Sequence, residues 1–156
     1  MGVETLIHDL KNGIGMVRVN AAAELGKLKE KSAEQALINA LGDENLAVRN
    51  NAAFALGELK SRTALPGLMS LLRDPEERVR KSVAKALGMI GAHDAEASLI
   101  QVLANDASRI VRKSAIRSLG QVGGPKAILA IKPFLSDPDP VLSDMAKQVI
   151  AMINKR

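Results

Sequence analysis

Apolar residues recur along this chain in short helical stripes, and the stripes come in pairs. From Val79 the apolar places are Val79, Val83, Ala84, Leu87 and Ile90, the three- and four-residue steps that gather on one face of an α-helix. A second stripe follows from Ala95 and continues through Leu99 and Leu103. The same pair of stripes starts again from Val17, Val48 and Val111, so the four anchors lie 31, 31 and 32 residues apart, and the second stripes begin at Ala33, Ala64, Ala95 and Ala127. A fixed period of this length predicts a repeat architecture. Each unit is a helix pair too small to bury its own apolar face, and stacking makes the pairs into one continuous core.

The ends follow the same pattern by halves. Leu6, Ile7 and Leu10 match Leu37, Ile38 and Leu41, so residues 1–12 read as a second helix without its first. Residues 138–156, with a fifth anchor at Val141, read as a first helix without its second, and full units occupy residues 13–43, 44–74, 75–106 and 107–137. Ten helices in one domain are expected. Ser32, with Gln35 three residues on, is expected to cap its second helix, as are Thr63 and Asp94, while Pro125 suits a first helical position. Gly91 and Gly123 are expected to end first helices in the left-handed conformation. Gly26, Gly57, Gly88 and Gly120, each preceded by leucine, fall inside first helices, where a missing side chain lets a neighbouring backbone come close. Asn50, Asn51 and Phe54 are expected to face outward.

Each of the four anchors is followed by an arginine: Arg18, Arg49, Arg80 and Arg112. The pattern VRxxAAxALGxIG, then Ala, then LxxxLxD, resembles the short HEAT-like repeats of about 31 residues named after phycobilisome lyases, over nearly the whole chain. The last half-unit departs from it, with Leu142 after its anchor. The resemblance implies an all-α, right-handed α-solenoid of antiparallel helix pairs, with first helices on the convex side and second helices lining a concave groove that commonly binds protein. It also implies that the repeated arginines are tied across the turns between units. Asp43, Arg49, Asp74, Arg80 and Arg112 are the residues expected in that ladder, Asp43 and Asp74 each lying six places before an arginine.

Composition narrows the chemistry. The chain has 156 residues, 47% apolar and 25% charged, as a soluble folded protein does. Without cysteine it has no disulfide, thiol nucleophile or cysteine metal ligand. Trp and Tyr are absent as well, and Phe54 and Phe134 cannot supply the stacking platforms of single-strand nucleic acid binders. No apolar run approaches the roughly eighteen residues of a membrane span, and the opening MGVETLIHDLKNG lacks the order of a secretory signal, so the cytoplasm is the expected address. His8 and His93 fall in different units with no HExxH, and the His-Glu dyads that hold iron in the HEAT-like deoxyhypusine hydroxylases are missing. No catalytic residue, metal or cofactor is expected.

Binding is the function left. Places on the second helices that point away from the stripe include Gln35, Ala36, Asn39, Ser70, Arg73, Gln101 and Leu129. Of these, Gln35, Asn39, Ser70, Arg73, Gln101 and Leu129 are the candidates for holding a protein or peptide, in a monomer or a weakly end-to-end associated chain. The net charge of +5 supports a weaker alternative, nucleic acid held by Lys81, Lys85, Lys113 and Arg117 on the third and fourth units. A bilin lyase or lyase-chaperone-like subunit is a further alternative, implied by the family label alone.

Overall fold

The computed structural model describes every residue from Met1 to Arg156 and contains ten α-helices and no strand. They are α1 (Val3–Asn12), α2 (Gly15–Leu28), α3 (Glu34–Ala40), α4 (Leu46–Glu58), α5 (Leu65–Leu71), α6 (Glu77–Ile90), α7 (Glu96–Asn105), α8 (Arg109–Val122), α9 (Pro125–Ile131) and α10 (Pro140–Asn154). Even-numbered helices are the first helices of the sequence pattern and stack directly on one another in the order α2, α4, α6, α8, α10. Odd-numbered helices form the second layer, each lying against the first helix that follows it. The result is an α-solenoid with a single core of 41 buried apolar residues running its whole length.

The two layers differ in tightness, and glycine is the reason. A Cβ added at Gly26 would lie 3.2 Å from the Ala55 Cβ, and one at Gly57 would lie 3.0 Å from both the Cα and Cβ of Ala86. At Gly88 it would come within 2.8 Å of the Ser118 Cβ and 2.9 Å of its Cα. The helices α2, α4 and α6 thus each press a glycine against a small residue seven places after the next anchor, whereas Gly120 of α8 meets the Met152 and Val149 side chains of α10. Polar bonds reinforce this layer: the Asn51 amide donates to the Val19 carbonyl at 3.2 Å, and the Ser118 hydroxyl to the Ala84 carbonyl at 2.6 Å. Asn50 accepts from the Ser82 hydroxyl at 2.5 Å. Asn50 and Asn51 therefore face the neighbouring helices and not the outside, whereas Phe54 is exposed as expected. The second helices meet one another far less; their one glycine, Gly67 of α5, faces only the tip of the Leu41 side chain, 3.0 Å from where its Cβ would be, and grooves are left between them.

Several local expectations are corrected. The helices α3, α5 and α7 each open with a 3₁₀ turn, over Lys31–Ala33, Arg62–Ala64 and His93–Ala95, so Ser32, Thr63 and Asp94 lie within that turn and cap nothing. Only the turn before α5 has a side-chain cap, Ser61, whose hydroxyl accepts from the Ala64 N–H at 3.2 Å. Gly91 is left-handed (φ 74°), but Gly123 is extended (φ −86°, ψ 162°), and Lys29 and Lys60 occupy the left-handed position in the earlier copies. Pro125 is the first residue of α9.

The fifth anchor also moves by one residue. Val141 is 54% exposed and Leu142 only 1%. Asp139 caps α10 as Asn45 caps α4 and Ser108 caps α8, three residues before the buried anchor in each case. Leu142 is thus the anchor, and Ser143 occupies the arginine place, its hydroxyl donating to the Leu135 carbonyl at 2.8 Å. Ala36 is buried, so it leaves the outward set.

Candidate functional site

The repeated arginines are consumed by the scaffold. Arg18 donates from Nε and Nη2 to the two oxygens of Asp43 (2.8 and 3.1 Å) and from Nη1 to the Gly13 carbonyl (2.9 Å). Arg49 repeats this with Asp74 at 2.9 and 3.1 Å and the Asp43 carbonyl at 2.9 Å, and Arg80 with Asp106 at 2.8 and 3.2 Å and the Asp74 carbonyl at 2.9 Å. For Arg49 and Arg80 the aspartate six residues before, at the end of the preceding unit, contributes its carbonyl, while the carboxylate comes from the turn that ends the arginine's own unit. Asp106 is the rung that the sequence reading missed. Arg112 keeps only the carbonyl bond, to Asp106 at 2.7 Å.

Fork-to-fork geometry of this kind gives the strong, charge-assisted class of hydrogen bond. Burial alone would push the Asp43 carboxyl up, but Arg18 and the Asn45 N–H more than offset it and hold it below its ordinary range. Asp106 behaves likewise, burial being outweighed by Arg80 and the Ser108 N–H.

The basic residues of the third and fourth units are partly committed too. Lys113 and Arg109 share Asp139 at 3.4 and 3.5 Å. The Asp139 carboxyl is lowered first by the Val141 N–H and then, against burial, by Lys113 and Arg109. The Lys85 ammonium lies 5.7 Å over the Phe54 ring. Lys81 and Arg117 are exposed on the first-helix layer and make no ion pair.

The second-helix face is different. Gln35 and Asn39 on α3 bond each other at 3.1 Å. Ser70 and Arg73, from α5 and its following turn, meet Ser98, Gln101 and Asn105 of α7 across a groove of about 670 Å³ floored by Met69, Leu72 and Val102. A second depression of about 480 Å³ lies between α7 and α9, with Gln101 on its near wall and Lys126 and Leu129 on its far one. Gln101 is common to both. The candidate set therefore splits: Ser70, Arg73, Gln101 and Leu129 line adjoining grooves, and Gln35 and Asn39 lie apart from them.

The extra residue of the 32-residue spacing explains part of this shape. It is taken up in α7, which runs ten residues where α3, α5 and α9 run seven, and it places Asn105 in the groove wall. His93 serves the scaffold: its Nδ1–H donates to the Val122 carbonyl at 2.5 Å, and nearby Glu96 accepts from the Gly124 N–H at 2.8 Å. His8 is exposed on α1. No group of His, Asp and Glu is placed to hold a metal ion, and no helix is long and apolar enough to cross a membrane.

Comparison with known proteins gives one consistent answer. The family model for HEAT repeats matches residues 3–66, 34–111 and 96–155. The complex of CpcE and CpcF of phycocyanin lyase from Nostoc sp. PCC7120 contains a chain similar to this one at 31% identity and a TM-score of 0.90. All of the present chain is matched, and it spans 66% of that chain's length. A designed armadillo repeat protein in complex with the peptide (KR)4 is similar in fold at 21% identity, TM-score 0.79, over 97% of this chain and 82% of its own. Human deoxyhypusine hydroxylase is similar at 19% identity, TM-score 0.67, over 99% of this chain and 74% of its own. No curated protein sequence matches.

Proposed function

Since the chain belongs to the family of HEAT-like repeat proteins of the phycobilisome-lyase type, we propose that it is a non-catalytic scaffold that binds another protein, or a segment of one, through its second-helix face. The observation that carries this reading is the groove between α5 and α7. It is the place where the polar side chains of the repeat, Ser70, Ser98, Gln101 and Asn105, face open space and make no hydrogen bond to the chain itself. By contrast, no fully buried side-chain polar atom of the chain lacks a partner. An apolar floor with polar walls suits an extended or helical segment, which needs both burial and hydrogen bonds. A protein occupant is further supported by the similar chain of phycocyanin lyase, which is one of two subunits in a complex.

A library of twelve-residue peptides displayed on phage and selected on the immobilised protein tests the reading. Ser98→Trp fills the groove from the α7 side, so the selected peptides should bind it at least about tenfold more weakly, with circular dichroism unchanged. Peptides that bind the folded variant as well as the original would refute the groove as the docking site.

A further inference from the structure

Arg73 stands apart from the other arginines that follow or end a repeated element. Its place in the turn after the second helix is taken by Gly42 in the preceding unit, so the repeat itself does not require a cation there. The side chain is exposed, forms no ion pair and donates no side-chain hydrogen bond, whereas Arg18, Arg49 and Arg80 are each held by a carboxylate. The one carboxylate in the same groove is Asp106, and both of its oxygens are already taken by Arg80, one of them also by the Ser108 N–H. The groove therefore offers a free guanidinium with no competing free anion. Across α7, Lys126 is a second exposed cation without a partner, at the far side of the adjoining depression, with two carboxylates at that rim, Asp94 and Glu96, the latter holding the Gly124 N–H through one oxygen.

From this placement we infer that the groove takes an acidic segment of a partner protein, one carboxylate seated on Arg73 and the chain continuing past Gln101 toward Lys126. This rests on the second-helix reading above and specifies its occupant. The chemistry is complementary at each step. A guanidinium binds a carboxylate through two parallel N–H donors, which fixes orientation as well as charge. The Gln101 amide, with a donor and an acceptor both unused, matches the alternating carbonyl and N–H of an extended backbone. Met69, Leu72 and Val102 supply an apolar floor for one side chain between the acidic ones. Basic segments, of the kind held by the designed armadillo protein, would meet Arg73 and Lys126 as like charges.

Fluorescence anisotropy with labelled eight-residue peptides tests the inference. The probes are an alternating glutamate–leucine peptide and its lysine–leucine counterpart, at low and at physiological salt. The glutamate peptide should bind, more weakly as salt rises, and the lysine peptide should not. Arg73→Glu should weaken the glutamate peptide by at least about tenfold and admit the lysine peptide, while Lys81→Glu, an equal change in net charge on the first-helix layer, should leave both unchanged. Equal losses in the two variants, or no binding of the glutamate peptide at low salt, would overturn the acidic preference. The parent reading is tested separately by the displayed peptides. Binders blocked by Ser98→Trp but indifferent to Arg73→Glu would keep the groove as a docking site and remove its acidic specificity, and an absence of groove-dependent binders would remove both.

Discussion

Gly88→Ala should destabilise the fold, although the same change on an exposed helix is favourable. Alanine is a better helix former than glycine by about 1 kcal/mol. At position 88, however, the new methyl group would stand 2.8 Å from the Ser118 Cβ and 2.9 Å from the Ser118 Cα. Carbon atoms pack best at about 3.5–4.0 Å, so α6 and α8 must separate by roughly half an ångström or more. Overpacking of this kind costs about 1–3 kcal/mol, and the Ser118 bond to the Ala84 carbonyl, about 1 kcal/mol in typical cases, is disturbed as well. The balance is a net loss of about 1–2 kcal/mol. Gly26→Ala, whose nearest neighbour is a side-chain methyl at 3.2 Å, should be close to neutral. Adding Ser118→Gly to Gly88→Ala moves the small residue to the other side of the contact, so the double variant should lose less than the two single losses together, with a coupling of about 1 kcal/mol. Urea unfolding followed by far-ultraviolet circular dichroism measures all four. A raised midpoint for Gly88→Ala, or strict additivity of the pair, would refute the close-approach account of the glycine.

Other expectations follow from the turns. Asp43, Asp106 and Asp139 have folded-state carboxyls below the ordinary value of 3.8, so their stabilisation is complete above that value and is lost as pH falls through the lowered ones. The urea midpoint should therefore hold from neutral pH to about pH 5 and fall below about pH 4, and Asp106→Asn should lower it at neutral pH while flattening the acid limb. A midpoint that rises on acidification would contradict the ladder as a source of stability. Lys60 is left-handed at φ 51° and makes no ion pair, so Lys60→Gly should raise the midpoint by the equivalent of about 1 kcal/mol, a gain that thermal melting can check.

Much of the fold was legible because stacking imposes a period. Val48, Val79 and Val111 are buried without remainder, whereas Val17, on the first helix of the stack, is 37% exposed; Gly26, Gly57 and Gly88 meet a neighbouring backbone as their position implied, and Gly120 meets side chains instead. What escaped depended on elements brought together across the stack. Arg49 lies six residues from Asp43, and local spacing suggests that carboxylate, yet the bidentate partner is Asp74, 25 residues on, because the solenoid brings the next turn alongside. The fifth anchor was misplaced at Val141 because valine matched the pattern. The cap at Asp139, and not the residue type, sets which side chain of α10 turns inward. The groove was legible only as a set of outward places. That Ser70 and Gln101 share a cavity while Gln35 bonds Asn39 depends on how far apart consecutive second helices stand, which no single stripe encodes.

The difference between the two layers has a mechanical consequence. The helices α5 and α7 rest on α6 and α8, and those two are riveted where Gly88 meets Ser118. On the other side the groove between α5 and α7 is closed only at its apolar floor of Met69, Leu72 and Val102, and the polar side chains of its two walls do not bond each other. The contact at Gly88 therefore acts as a hinge pin and the two second helices as the jaws above it. With layers packed roughly 10 Å apart, a few degrees of rotation at the pin moves the jaws by a fraction of an ångström to an ångström while leaving the seam closed. A bound segment would stiffen this movement, and a substitution at the pin would be felt at the jaws without touching them.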